Sequence, residues 1–144
     1  MKVSAKAEYA CLAMLELANH HRGTRPLRVK EIAEAQGITQ HFLVQILLQL
    51  KVAGLVTSTR GAGGGYHLAR PPEEISLAAV IRAIDDRCLT PPAPASGSPR
   101  TPSAAILQEV WSDLYEHERK QLENLSLAEL LLRGQRLGAS TYQI

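Results

Sequence analysis

A chain of 144 residues, 45% of them hydrophobic, has room for one compact domain or for a small domain with an appendage. Leu, Ala, Val and Ile dominate that fraction beside one Trp and one Phe, a composition that suits packed helices better than a large sheet. The net charge of +2 is too small to require a nucleic-acid partner, yet it is unevenly spread: residues 1–70 carry nine Lys/Arg against four Asp/Glu, and residues 71–144 carry seven against ten, which fits either a polyanion partner at the front or ordinary scatter.

Ser4 can cap a first helix running to about His20, with Tyr9, Leu12, Ala13, Leu15, Leu17 and Ala18 as its apolar surface. Cys11 falls inside this helix and reads as a small core side chain. Gly23 and Pro26 break the helix, and a short one follows at about Val29–Gln36, ended by Gly37. Thr39 can cap the next, about Gln40–Ala53, whose Phe42, Leu43, Ile46, Leu47 and Leu50 recur at helical spacing. Leu55–Thr59 and Tyr66–Leu68 read as short strands joined by a glycine-rich tip. Helix, short helix, tight turn, helix and hairpin, in that order, predict a mainly α fold with a small β-hairpin: a winged helix-turn-helix.

Pro71 and Pro72 mark a junction, after which Ser76 caps a helix to about Asp85 with Leu77, Val80, Ile81 and Ile84 inward. Residues 90–102 hold five of the eight prolines and no large apolar side chain, so a flexible or extended loop is expected. Ser103 opens a long helix carrying Ile106, Leu107, Val110, Trp111, Leu114 and Leu122, and Leu125, Leu127, Leu130, Leu131 and Leu132 lead into a short terminal helix that Gly134 and Gly138 end. The expected organisation is a DNA-binding domain at 1–86, a Pro-rich loop at 87–102, a helical dimerisation arm at 103–134 and a flexible tail at 135–144. The arm's stripe needs a surface, either its own domain or a second copy of the chain.

The helix starting at Gln40 is the candidate recognition helix. Thr39, Gln40, His41, Val44 and Gln45 lie at its N-terminal end, where major-groove contacts are made. Gln45 can pair with adenine, His41 can reach a base edge or phosphate, and Val44 can pack on a thymine methyl; each can equally be a plain surface residue. Arg60, at the wing base, is placed to enter a minor groove. Gly61, Gly63, Gly64 and Gly65, followed by Tyr66, would let the tip turn sharply and bring backbone amides near phosphate. Lys2, Lys6, Arg28, Lys30 and Lys51 can clamp the DNA backbone or remain solvated. A nucleotide-binding loop is a poor alternative, because no GK[ST] follows the glycines and no helix aims its N-terminus at them.

No catalytic constellation is found, so no enzyme activity is expected: the five histidines form no HExxH or triad-like set, and Asp85 and Asp86 are adjacent without converging. No apolar run spans a bilayer, and Lys2, Lys6 and Glu8 interrupt any secretory core at the N-terminus, so a cytoplasmic location without a membrane partner is expected. Cys11 and Cys88 lie in different contexts, which speaks against a disulfide framework.

The text from KVSAKAEYACLAMLELA through VKEIAEAQGITQHFLVQILLQLKVAGLVTSTRGAGGGYHLARPPEEISLAAVIRAID, resuming at VWSDLYEHERKQLENLSLAEL, resembles the BadM/IscR-like transcriptional regulators over about four-fifths of the chain. The RGAGGGYHLAR wing and its distance from ILLQLKVAGLV are the most specific part. The resemblance implies a homodimer whose long C-terminal helices cross, and winged domains that read a palindromic promoter site; a repressor is the expected form of regulation. It also implies base contacts around His41, Val44 and Gln45 and a wing contact from Arg60. Members that switch sites carry a Glu where Val44 stands here, which puts discrimination by a charge there in doubt. Cluster-binding members carry three cysteines in the region that here reads DRCLTPPAPASGSPRTPSAAILQEVW; the matching positions are about Ala93, Pro99 and Ala105, with Gln108 at a further ligand position. Cys88 is the sole thiol there, a candidate redox thiol, an unusual cluster ligand aided by Asp85 or Asp86, or a passive residue. No cofactor is therefore expected, and the signal would be a small molecule, a protein, or none. An effector pocket is expected between the winged domain and the long helix. The alternative to a DNA-binding regulator is a protein-interaction adaptor that keeps the winged fold.

Overall fold

The computed structural model describes residues 2–23, 25–91 and 101–142. Most of the expected Pro-rich loop, residues 92–100, lies outside them. The elements run α1 (Ala5–Asn19), α2 (Val29–Gln36), α3 (Gln40–Val52), β1 (Val56–Thr59), β2 (Gly65–Leu68), α4 (Leu77–Ile84), α5 (Pro102–Glu123) and α6 (Leu127–Tyr142), with single helical turns at Pro72–Glu74 and Asp86–Leu89.

Local chemistry accounts for most boundaries. Ser4 accepts from the Ala7 amide at 3.1 Å and Ser76 from the Ala79 amide at 3.1 Å, so each occupies an orphan donor at a helix start. Gly37 closes α2 in the left-handed conformation, φ 66°, which turns the chain into α3 within the span of a helix-turn-helix. The long helix begins earlier than expected: Thr101 is its cap, accepting from the Ala104 amide, and Pro102 takes the first helical position, where its missing N–H costs nothing.

α1 is the central post. Its Ala7, Ala10 and Ala13 are fully buried, and small side chains there let α3 and α4 approach closely. Met14 joins Ile32, Leu43, Ile46, Leu47, Leu50, Ile75, Val80 and Leu127 in one core without solvent exposure. Burial of each such side chain contributes roughly 1.5–3 kcal/mol. Tyr9 meets Phe42 edge to face at 5.6 Å, locking α1 to α3.

β1 and β2 are antiparallel, Val56 opposite Leu68 and Thr59 opposite Gly65. The hairpin has a third partner that sequence periodicity did not reveal. Leu27, just before α2, exchanges both backbone bonds with Tyr66, at 3.1 and 2.7 Å, so the wing is tied to the entrance of the helix-turn-helix.

The C-terminal arm behaves as two different pieces. The α5–α6 corner is pinned to the start of α4: the Leu77 amide donates to Leu125 at 2.8 Å and the Leu127 amide to Ile75 at 2.9 Å. α6 then lies along α1, and Leu131 packs against the main core. The stop expected at Gly134 is not observed, because α6 continues through Gly134 and Gly138 to Tyr142. A glycine inside a helix costs only about 1 kcal/mol, so it weakens a helix anchored elsewhere without ending it. α5 joins the domain near its end through buried Leu122, whereas Ile106, Leu107, Val110, Trp111 and Leu114 remain exposed.

Candidate nucleic-acid interface

α3 divides cleanly into two faces. Leu43, Ile46, Leu47 and Leu50 are buried, while Gln40, His41, Val44 and Gln45 are exposed near its N-terminus, as the helical period requires. Leu48 and Val52 extend the exposed face one and two turns beyond Val44. The exposure of these two follows from their four-residue spacing from Val44. Thr39 stands at the cap position with extended backbone, but its hydroxyl makes no capping hydrogen bond, contrary to expectation. The first turn of α3 also holds no acidic residue, so the positive end of the helix faces outward uncompensated, an arrangement favourable beside phosphate.

The wing is built by close packing as much as by flexibility. Gly61 has φ 101°, and the Gly64 amide donates to its carbonyl at 2.9 Å, closing the tip. A Cβ on Gly64 would stand 2.2 Å from the Thr59 carbonyl oxygen, and one on Gly65 would stand 2.4 Å from that of Leu27. Both positions therefore exclude any larger residue. Gly64 is buried and its amide is occupied, as is that of Tyr66, so these two amides are not free for phosphate as the sequence had suggested. Arg60, Gly61 and Gly63 are exposed around the tip.

Two cations brace the wing. Arg28, the residue before α2, donates to the Ala62 carbonyl at the tip. Lys51 Nζ, at the end of α3, donates to Ser58 Oγ on β1 at 2.7 Å. The start of α2 is itself held by Glu31, which receives a two-pronged hydrogen bond from Arg25 at 2.8 Å in both arms and one from the Arg28 amide at 3.3 Å. The Arg25 guanidinium, with the Arg28 amide second, holds the Glu31 carboxyl down to about 2. Lys30 is exposed on α2. Lys6 is placed differently: it lines a concavity with Ser4, Ile84, Asp85, Asp86 and Arg87 at the other end of α1, in the company of carboxylates.

Cys11 is half-buried on α1, and Cys88 is buried. The Asp86–Leu89 turn folds Cys88 into a small apolar cluster with Ala7, Ala78, Ile81 and Leu122, although a position beside a loop pointed to exposure. Asp85 is engaged by Arg87, through its amide at 3.2 Å and its guanidinium at 3.1 Å, and the guanidinium holds the carboxyl below its usual range. On α1, burial and then the charge of Glu8 push the Cys11 thiol up to about 12, which keeps it protonated near neutrality.

An exposed helix following a tight turn, joined to a short braced hairpin, defines a winged helix-turn-helix DNA-binding protein. Residues 3–133 match the model of the family described as Rrf2, iron-dependent transcriptional regulator, and the chain belongs to that family. It is 43% identical over 131 residues to the HTH-type transcriptional regulator Rv1287 of Mycobacterium tuberculosis, covering 90% of this chain and 81% of the relative. It is 34% identical over 143 residues to the HTH-type transcriptional regulator IscR of Vibrio cholerae, covering 99% and 82%. Among solved structures it resembles CymR, the global cysteine regulator of B. subtilis, with TM-score 0.78 and 31% identity over 90% of this chain and 95% of that one. The T. potens IscR structure gives TM-score 0.74 and 34% identity over 93% and 88%. The chain is thus a transcriptional regulator of the winged helix-turn-helix class.

Among the described residues, the iron in the family's description finds no matching donor set. A bound cluster needs several thiolates. This chain has two cysteines, one with a thiol held protonated on α1 and one enclosed by apolar side chains. Ala105, at a position where the resemblance implied a thiolate, offers a methyl group on exposed α5, and Ala93 and Pro99 lie outside the described residues.

Proposed function

We propose that this protein is a homodimeric repressor that covers a two-fold symmetric promoter site, reading it with α3 and the wing and holding no resident metal cluster. The observation that carries the dimer is α5. Ile106, Leu107, Val110, Trp111 and Leu114 form an apolar stripe along its first half, and Trp111 is 51% exposed in the single chain. A stripe of this kind on a soluble regulator is stabilised by a second copy laid against it, and a two-fold protein matches a two-fold operator.

In this reading Gln40, His41, Val44 and Gln45 face base edges and Arg60 enters the flanking minor groove. Lys30, the α3 N-terminus and the backbone of the exposed Gly61 and Gly63 meet phosphate. Arg28 and Lys51 set the angle between wing and helix through their contacts with Ala62 and Ser58, whether or not they also reach phosphate. Regulation follows from occupancy: a dimer across a promoter excludes polymerase, and a small molecule or protein effector sets how much dimer is competent. A cytoplasmic location accompanies this function, and no helix among the described residues is long and apolar enough to cross a membrane.

The test is recovery of bound fragments from a library of its own genome, followed by anisotropy titration of the enriched site. A single enriched sequence family, bound with a steep inverse dependence on salt, is the expected result. Binding indifferent to sequence, or no binding, would contradict it.

A further inference from the structure

A concavity of about 360 Å³ opens between α1, the end of α2 and α6. Leu15, Leu130 and Leu131 form the apolar part of its lining. The polar part is Glu16 and Asn19 of α1, Gln36 at the last position of α2, and Gln135 of α6. This cleft lies against α6, a different place from the space between the winged domain and the long helix where an effector pocket is expected.

Two features set this cleft apart from an accidental groove. The first is its charge. Glu16 is enclosed, its side chain 16% exposed, and it accepts from Gln36 Nε2 at 2.8 Å through one oxygen while His20 Nδ1 stands 3.5 Å from the other. Among the described residues lining the cleft, none is Lys or Arg, so no permanent cation in its wall answers the carboxylate. The second is Gly134, which lines the cleft from the middle of α6, where a glycine is unfavourable by about 1 kcal/mol relative to alanine. Packing does not demand it: a Cβ there would meet nothing within 4 Å. At this place in the lining the chain carries no side chain that could occupy the cleft.

We propose that this cleft binds a small organic cation with a branched or otherwise apolar body, and that its occupancy adjusts the helix-turn-helix. The ammonium group would donate a charge-assisted hydrogen bond to the Glu16 carboxylate, an amide or hydroxyl on the ligand would pair with Gln36 or Gln135, and the apolar body would lie on the leucines. The coupling is short. Gln36 is followed directly by Gly37, the left-handed residue that turns α2 into α3, so a ligand that competes for the Glu16–Gln36 bond acts on the recognition helix from behind. The regulatory half of this inference rests on the DNA-binding reading above; the binding half does not.

Leucinamide is the probe, with 4-methylpentanamide as its uncharged and 4-methylpentanoate as its anionic counterpart, each titrated by ligand-observed NMR against the full chain. Leucinamide should bind, and the two counterparts should bind at least about tenfold more weakly, the loss of one charge-assisted hydrogen bond. Glu16→Gln should weaken leucinamide by about the same factor. Gly134→Leu, which fills the mouth with a better helix former and leaves Glu16 intact, should abolish binding without lowering the Tm. Failure of leucinamide to bind, equal binding of all three probes, or unchanged binding to Gly134→Leu would each overturn the site. Leucinamide binding that leaves operator affinity unchanged would keep the site and overturn its regulatory role, whereas a wild-type chain that binds leucinamide but no DNA sequence would instead count against the function proposed above.

Discussion

The two helices of the C-terminal arm carry similar leucine-rich stripes and meet opposite fates. Leu127 of α6 has no solvent exposure, whereas Leu114 of α5 is 54% exposed. The difference is not hydrophobicity. The paired backbone bonds of Leu77 with Leu125 and of Leu127 with Ile75 fix the corner, and from there α6 has a groove beside α1 while α5 leads away from the core. Amphipathic periodicity shows that a helix face will be covered; the anchoring of its ends decides by what.

The sharpest way to break this contrast is to charge one stripe. Leu114→Glu places a carboxylate where the second copy is expected, and burying it unpaired would be prohibitive. Sedimentation should show wild-type dimer becoming monomer with the fold retained by circular dichroism, and operator affinity should fall by roughly 100-fold or more as one half-site is lost. Leu127→Ala should do the reverse, destabilising each chain by about 2–5 kcal/mol in urea titration, since it opens a cavity in the core.

Smaller effects sharpen the account of the wing and of α6. Arg60→Ala should weaken operator binding by about 1–3 kcal/mol and lower the salt slope by about one, with thermal stability unaltered. Indifference of DNA affinity to this change would favour an adaptor that uses the fold for protein contacts. Gly134→Ala should stabilise the chain by about 0.5–1 kcal/mol in the same urea titration, because the site is helical and open. A loss of stability would mean that the glycine is needed for packing.

Much of the fold was legible because it is locally encoded. Ser4 and Ser76 announce helix starts, Gly37 announces the turn, and the spacing of Leu43, Ile46, Leu47 and Leu50 separates the buried face of α3 from its exposed one. What escaped is long-range backbone pairing. Leu27 with Tyr66, and Ser76 with Ser126, are single bridges between distant segments and leave no periodic trace. The candidate site divides the same way. Gln40, His41, Val44, Gln45 and Arg60 could be placed from helix phase and wing position, whereas the bracing contacts of Arg28 and Lys51, the buried amide of Gly64 and the acidic neighbours of Lys6 follow only from tertiary structure. The burial of Cys88 was not legible for a related reason: proximity to a loop in sequence says little about a turn that folds under the end of α5.

The central claim is that a dimer joined along α5 presents two copies of α3 and the wing to one DNA site. Hydroxyl-radical footprinting of the enriched operator tests it most directly. The account predicts two symmetric protected blocks whose centres lie about one helical turn apart, or a whole multiple of it, with the flanking minor-groove protection lost in Arg60→Ala. A single protected block from wild-type protein, or protection without two-fold symmetry, would contradict it.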